Sequence, residues 1–208
     1  MKRFLSILLV FLALCAICAM GVSAAGKFDP DTIQRCMLLN DTEPVNGKGH
    51  CGVVLVDKNG YMRLYTFQQG GLWKQSNTPA QLKQFLKDGR IPRTPSQFQF
   101  DRILAFNITP EEGRRMYDYA ETTEFGEFYM NASFWKPVGL KRNTDNCTTF
   151  AQGMLAAGSR KYKYYYPFGV PNYTFTTLRW RLGLRSIPYT IYYTEFEGVI
   201  PTTTSAAS

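Results

Sequence analysis

The sequence DNCTTFAQGMLAAG, residues 145–158, has the pattern of a capped helix that carries a cysteine in its first turn. Asp145 or Asn146 can accept hydrogen bonds from the N–H groups that open a helix. Glycine commonly ends a helix in the left-handed conformation, and Gly158 is in the position to do so. The apolar residues Cys147, Phe150, Ala151, Met154 and Leu155 recur at helical spacing. The thiol is therefore predicted to face the core, where the positive end of the helix dipole favours its thiolate form.

The chain contains one histidine, His50, within the sequence GHCGVVLVD of residues 49–57. This run of branched apolar residues predicts a strand that is buried on both faces. The pair Asn59-Gly60 predicts a tight hairpin, and residues 61–67 alternate as the returning strand. His50 is therefore expected at the start of the first strand of a hairpin.

The register of this hairpin suggests a group that orients the imidazole. If the turn consists of Asn59 and Gly60 alone, Gln69 lies opposite His50, whereas a longer turn places Gln68 there. A polar side chain in that position can hold the ring in one orientation. We therefore predict Gln69, or Gln68 with a longer turn, as the partner of His50.

The two motifs together resemble a known superfamily. A Gly-His strand that enters a hairpin, followed about a hundred residues later by Asn-Cys-x-x-Phe at a helix start, resembles the circularly permuted branch of the papain-like NlpC-type superfamily. The resemblance extends from about His50 to about Leu184. That branch includes bacterial cell-wall amidases and endopeptidases as well as acyltransferases that act on lipids.

The resemblance implies an α+β fold in which an antiparallel sheet packs against the cysteine-bearing helix. It also implies a nucleophile at Cys147 and a base at His50, with an acyl-enzyme intermediate. Asn146, together with the backbone N–H of Cys147, is expected to stabilise the oxyanion. Tyr165 and Tyr166 lie in an aromatic loop after this helix, and they either line the substrate groove or pack between helices.

The function that we expect is that of a secreted cysteine hydrolase acting on amide bonds of peptidoglycan stem peptides. One alternative is the same thiol chemistry on lipid esters, as an acyltransferase or esterase. Another is a papain-like module that has lost activity and serves in binding. One histidine and dispersed carboxylates do not supply a usual zinc ligand set, so neither a metal nor a cofactor is predicted.

The amino-terminal residues have the features of an export signal. Lys2 and Arg3 precede the uncharged apolar run 4–20, and the small residues before position 25 fit a cleavage site near Ala24. Residues 1–24 are therefore predicted to be a signal peptide for secretion or delivery to the cell envelope, with a retained anchor as the alternative. Residues 25–200 are expected to form one papain-like domain, and residues 201–208 a disordered tail.

The formal net charge of +8 at pH 7 indicates which kinds of partner the protein could bind. It suits contact with an anionic cell surface, although a soluble basic protein can carry the same excess. Lysine and arginine are scattered and no binding motif is present, so nucleic acid is not expected as a partner. We expect the protein to be a monomer.

The cysteine count also bears on Cys147. Two of the five cysteines lie in the predicted signal peptide, which leaves an odd number for an oxidising compartment. Neighbouring residues of a strand face opposite ways, so Cys51 is predicted to turn away from whatever His50 faces. A disulfide between Cys36 and Cys51 is then expected, with Cys147 as the free thiol.

Further elements follow from caps and periodicity. We predict a helix from Thr78-Pro79 to Gly89, a strand from Gln97 to Asn107, a helix from Pro110 to about Thr122 and a helix from Asn172 to about Leu182. Residues 125–135 fit either strand or loop.

Overall fold

The computed structural model describes residues 26–42, 49–88, 100–128, 144–163, 170–195 and 198–204. These residues form an α+β fold, as predicted, with one antiparallel sheet in the strand order β4-β3-β2-β1-β5-β8-β9. The strands of this sheet are β1 (Ile33–Asp41), β2 (His50–Asp57), β3 (Met62–Gln68), β4 (Gly71–Asn77), β5 (Arg102–Asn107), β8 (Tyr189–Glu195) and β9 (Gly198–Thr204). Two short strands, β6 (Glu127–Phe128) and β7 (Thr144–Asp145), form a separate parallel pair.

Helices cover both faces of the sheet. They are α1 (Pro79–Asp88), α2 (Pro110–Thr122), α3 (Cys147–Gly158) and α4 (Pro171–Leu184), with 3₁₀ turns at Pro30–Thr32 and Arg160–Tyr162. The predicted helices and the predicted hairpin strands are confirmed, with ends that differ by one to two residues.

The side chains of strand β2 alternate between two apolar clusters, one on each face of the sheet. Cys51, Val53 and Leu55 pack in the cluster that includes Phe150 of α3. Their neighbours Val54 and Val56 pack in the other cluster, which includes Phe85 of α1. All eight residues of β2 are buried, because helices cover both sides of the strand.

A cluster around Glu121 attaches the end of α2 to the sheet. Its carboxylate accepts hydrogen bonds from the Arg63 Nη2 at 3.0 Å, from the Tyr65 hydroxyl at 2.9 Å and from the Lys74 Nζ at 2.7 Å. These three partners lie on β3 and β4, so one carboxylate joins three segments of the chain.

The predicted disulfide between Cys36 and Cys51 is wrong. Cys36, Cys51 and Cys147 are all reduced and buried. Cys36 pairs with Leu55 across the β1–β2 ladder, whereas Cys51 pairs with Asn40. Four residues of strand separate the two cysteines by about 13 Å along the ladder, beyond the reach of a disulfide.

Gly158 does not have the predicted left-handed conformation. It is the last residue of α3, and the cap is Ser159 at φ −165°. A Cβ at position 158 would lie 2.3 Å from the Met116 Cε, and the Gly158 carbonyl accepts a hydrogen bond of 2.7 Å from the Arg115 Nη2. A larger residue here would require the Met116 side chain of α2 to move.

The predicted disordered tail is also corrected in part. Residues 201–204 belong to β9, which pairs with β8 at the edge of the sheet, where Pro201 is compatible with a strand. Residues 205–208 and the predicted signal peptide lie outside the described residues. Within the described ranges, no helix is long and apolar enough to cross a membrane.

Candidate active site

The cap of α3 places Cys147 at the first position of the helix. Asn146 is the N-cap, and its Oδ1 accepts hydrogen bonds from the backbone N–H of Thr148 at 3.0 Å and of Thr149 at 2.9 Å. The Thr149 Oγ1 in turn accepts a hydrogen bond of 2.9 Å from the Asn146 N–H. This reciprocal capping box fixes where the helix begins, and with it the position of the thiol.

His50 begins β2 directly after a glycine that no other residue can easily replace. Gly49 has φ +82°, and a Cβ at this position would lie 2.6 Å from the Asp41 carbonyl oxygen and 2.7 Å from the Asn172 Oδ1. The Gly-His pair of the sequence therefore has a structural cause, because the chain must turn tightly between β1 and α4 as it enters the strand.

The hydroxyl of Thr66 on β3 contacts the imidazole. The His50 Nε2 lies 2.6 Å from the Thr66 Oγ1, and this hydroxyl donates a hydrogen bond of 3.2 Å to the Cys51 carbonyl. A hydroxyl has a single proton, and one that donates to the carbonyl can accept from an Nε2–H of the ring. The contact is therefore compatible with the tautomer that carries its proton on Nε2.

The register that pointed to Gln69 differs from the observed one by a residue. Val53 pairs with Tyr65 and Val56 with Met62, so Lys58, Asn59 and Gly60 all lie in the turn. Continued to the strand end, this register places Gln68 opposite His50, as the longer turn predicts. Gln69 itself is exposed in the turn after β3.

Sequence reasoning did not find Thr66, although its position could have been derived from the correct register. In an antiparallel pair, a residue also approaches the diagonal neighbour two positions along the partner strand. Thr66 is diagonal to His50 once Gln68 is directly opposite it.

The sulfur of Cys147 lies among three groups of β2. The Cys51 thiol, the His50 imidazole and the Cys51 backbone N–H all act to lower its pKa. The hydrogen bond from the Cys51 thiol is the largest influence, and together with the charge and hydrogen bond of His50 it holds the Cys147 pKa well below its usual range. Burial opposes this effect without reversing it.

The end of the β2–β3 pairing leaves the Cys51 backbone open to side chains. The paired part of the two strands ends at Val53 and Tyr65, although β2 begins at His50 and β3 ends at Gln68. The Cys51 C=O and N–H point toward β3 in this region. The C=O accepts a hydrogen bond from the Thr66 hydroxyl, and the N–H acts on the Cys147 sulfur.

Cys51 was predicted to turn away from whatever His50 faces, and only the separation from Cys147 that this implied is wrong. The alternation of the strand does hold, since Cys51 packs under α3 while the His50 ring lies 6.1 Å from the Phe100 ring in the opposite cluster. The Cys51 side chain nevertheless meets Cys147, because α3 begins over this part of β2. Burial and the neighbouring Cys147 both raise the pKa of the Cys51 thiol.

The remaining predicted site residues differ in what the structure shows of them. The Oδ1 of Asn146 caps α3, so an oxyanion could be contacted only through its amide nitrogen. The N–H of Cys147, as the first of the helix, has no partner within the helix itself. Tyr165 and Tyr166 lie outside the described residues.

The described residues include no group of three or more His, Cys, Asp and Glu that could hold a metal ion. Comparison with protein-family models, with curated proteins and with solved structures found no match for this chain. The resemblance to the permuted papain-like superfamily therefore remains one of short motifs and their order.

Proposed function

We propose that this protein is a cysteine hydrolase that works through an acyl-enzyme on Cys147, within a permuted papain-like fold. The observation that carries this proposal is the position of Cys147 at the start of α3, where the imidazole of the chain's one histidine helps to lower the pKa of the thiol. A buried thiol with a lowered pKa beside an imidazole is the arrangement that activates sulfur for attack on a carbonyl.

The first half of the reaction forms a thioester. Because Nε2 lies against the Thr66 hydroxyl, we assign the exchange of a proton with Cys147 to the Nδ1 of His50. The thiolate bonds to the acyl carbon, and the bond between that carbon and the leaving group breaks. The leaving group departs with the proton that His50 holds.

The second half releases the acid. A water molecule gives a proton to His50 and attacks the thioester carbon, after which the carbon–sulfur bond breaks and Cys147 returns to its starting form. We propose that the N–H of Cys147 stabilises the oxyanion in both halves, an effect of about 3 kcal/mol for a well-placed donor.

Amide bonds of peptidoglycan stem peptides are the substrate class that we propose first. The support is the motif order, with the histidine strand before the cysteine helix, and the antiparallel sheet against which that helix packs. The proposed setting is outside the cell membrane, after export.

Lipid esters are the second candidate, and one surface feature favours them. On α4, Trp180 and Leu184 are 66% and 64% exposed, with the exposed Arg179 and Arg185 beside them. Exposed tryptophan and leucine next to arginine suit the interface of an anionic membrane.

Turnover assays with matched variants test the proposal. The purified protein is incubated with isolated peptidoglycan, and new amino groups are measured; vesicles of phosphatidylglycerol and phosphatidylcholine are assayed in parallel for released fatty acid. We expect activity on peptidoglycan that is lost in Cys147→Ala and retained in Cys36→Ser. Cleavage of vesicle lipid alone would select the second candidate.

Retention of activity in Cys147→Ala would overturn the mechanism. A protein that turns over neither substrate, yet binds peptidoglycan equally well with and without the Cys147 sulfur, would instead be a binding module.

A further inference from the structure

The Cys51 thiol takes part in no bond-making step of the proposed mechanism, although it lowers the pKa of the nucleophile. Cys51 is 1% exposed, and its sulfur lies 4.0 Å from the Oγ1 of Thr148, the residue that follows Cys147. Both thiols pack in the same apolar cluster. This position gives Cys51 a further chemical capacity.

We propose that Cys51 is the resolving cysteine of Cys147, so that a peroxide converts the pair into a reversible disulfide that protects the nucleophile from irreversible oxidation. The inference depends on the nucleophile assigned above, and it adds a means of regulating that site.

The chemistry has two steps, each of which balances. The Cys147 thiolate attacks one oxygen of hydrogen peroxide, the O–O bond breaks, and the products are a sulfenic acid on Cys147 and hydroxide. The Cys51 thiol then attacks the sulfenic sulfur; a sulfur–sulfur bond forms, and the hydroxyl group leaves with the thiol proton as water. The sulfur atoms are oxidised and the peroxide is reduced.

The surroundings favour Cys147 as the residue that reacts with peroxide. Its pKa is lowered and it is 7% exposed, whereas Cys51 is nearly inaccessible and burial raises its pKa. Thiolate character and access determine which cysteine oxidises first. Both residues lie on elements that already pack together, so bond formation requires only a local approach of the two sulfurs.

Cys36 provides the matched control. It lies on the same face of the sheet, is 0% exposed and has a pKa raised by burial, as Cys51 does. It pairs with Leu55, about 13 Å along the ladder from Cys51, and so it is too far away to form the same bond.

The test is mass spectrometry of the full-length protein after hydrogen peroxide, followed by alkylation and digestion. We expect a Cys51–Cys147 linked peptide with the loss of two hydrogen atoms, and its disappearance after dithiothreitol. In Cys51→Ser the same treatment should give sulfinic acid on Cys147 that dithiothreitol does not reverse. Cys36→Ser should behave as the wild-type protein does.

Two results would overturn the inference, and they differ in what they say about the site. If Cys147 oxidises to sulfinic acid equally fast in the wild-type protein and in Cys51→Ser, Cys51 does not resolve it, while the nucleophile stands. If Cys147 reacts with neither peroxide nor an alkylating agent in the folded protein, both this inference and the proposed hydrolase are wrong.

Discussion

At the scale of single residues, the candidate site depends on a hydroxyl that connects two strands. The Thr66 hydroxyl lies 2.6 Å from the His50 Nε2 and donates to the Cys51 carbonyl, so it orients the base and also satisfies a backbone group that β3 does not reach. A side chain without the hydroxyl would leave both partners unsatisfied in a buried place.

Replacement of Thr66 tests this arrangement. Thr66→Val keeps the shape but removes the hydroxyl, and we expect kcat/KM on the substrate identified above to fall about tenfold or more, since His50 loses its orienting partner. Thr66→Ser restores a hydroxyl and should recover most of the loss. Equal activity of the valine and serine variants would show that the hydroxyl does not orient the base.

Gly49 supplies a second prediction at this scale. Gly49→Ala places a Cβ against the Asp41 carbonyl at a positive φ, and we expect a loss of about 2 kcal/mol or more in the free energy of unfolding. Gly183→Ala is the control: this helical glycine has nothing within 4 Å of an added Cβ, and alanine there should stabilise by about 1 kcal/mol. Urea unfolding of both variants measures the difference, and similar changes would contradict the account.

The residues of the site differ in how far sequence could place them. Cys147 and His50 carry signals of their own, a helix-opening position and a Gly-His strand start. Thr66 and Cys51 carry none, because their contacts depend on one extra residue in the hairpin turn and on where β2 and β3 cease to pair. The prediction of Gln69 assumes a two-residue turn. The observed three-residue turn shifts the register by one residue, so Gln68 lies opposite His50 instead.

At the scale of elements, the start of α3 affects both the stability of the protein and the reactivity of the Cys147 thiol. The Asn146 side chain caps the helix that presents Cys147. Asn146→Ala should therefore cost about 1 kcal/mol of stability and also reduce the reactivity of the thiol, because the first turn frays.

Asn146→Asp separates these two effects. An aspartate retains the capping oxygen, so thermal unfolding should stay close to that of the wild-type protein. Its negative charge lies beside the sulfur, however, and should raise the pKa of Cys147 and slow its alkylation at neutral pH. If the alanine and aspartate variants lose the same amount of stability, the cap does not act as described.

Elements with local signals were predicted, and those without them were not. The helices α1 and α2 begin with Thr-Pro, and α2 has a full capping box between Thr109 and Glu112. Strand β1 is buried on both faces over most of its length and shows no alternation, so nothing local reveals that it lies at the centre of the sheet. β9 combines proline with threonines, a composition that also suits a tail.

At the scale of the whole molecule, the buried carboxylate of Glu112 and the partly buried carboxylate of Glu121 connect the layers. Glu121 joins α2 to β3 and β4, and Glu112 accepts from the Tyr162 hydroxyl and from Lys161 beyond α3. Burial acts to raise the pKa of both groups, but hydrogen bonds from Lys74, Tyr65 and Arg63 to Glu121, and from Lys161 and Tyr162 to Glu112, lower it overall.

This arrangement predicts how stability depends on pH. A carboxylate whose pKa is lower in the folded state contributes stability above its unfolded value of about 4.3, and the contribution is lost as the pH falls through the folded value. We expect Glu121→Gln to destabilise the protein at about pH 7 and to reduce the further loss at about pH 3. Urea midpoints at the two pH values measure this, with Glu111→Gln, exposed on the same helix, as the control. Identical pH dependence in the two variants would exclude Glu121 as a source of acid sensitivity.

The pairing of Cys147 with His50 is most directly tested by the pH dependence of alkylation. The rate at which iodoacetamide modifies Cys147 is measured by peptide mass spectrometry, in the wild-type protein and in His50→Gln, which removes the charge but keeps a hydrogen-bonding side chain. We predict a wild-type midpoint well below the value of about 8.5 for an ordinary cysteine, and a midpoint shifted upward in the variant. A wild-type midpoint at or above that ordinary value, or one that His50→Gln leaves unchanged, would contradict the pairing.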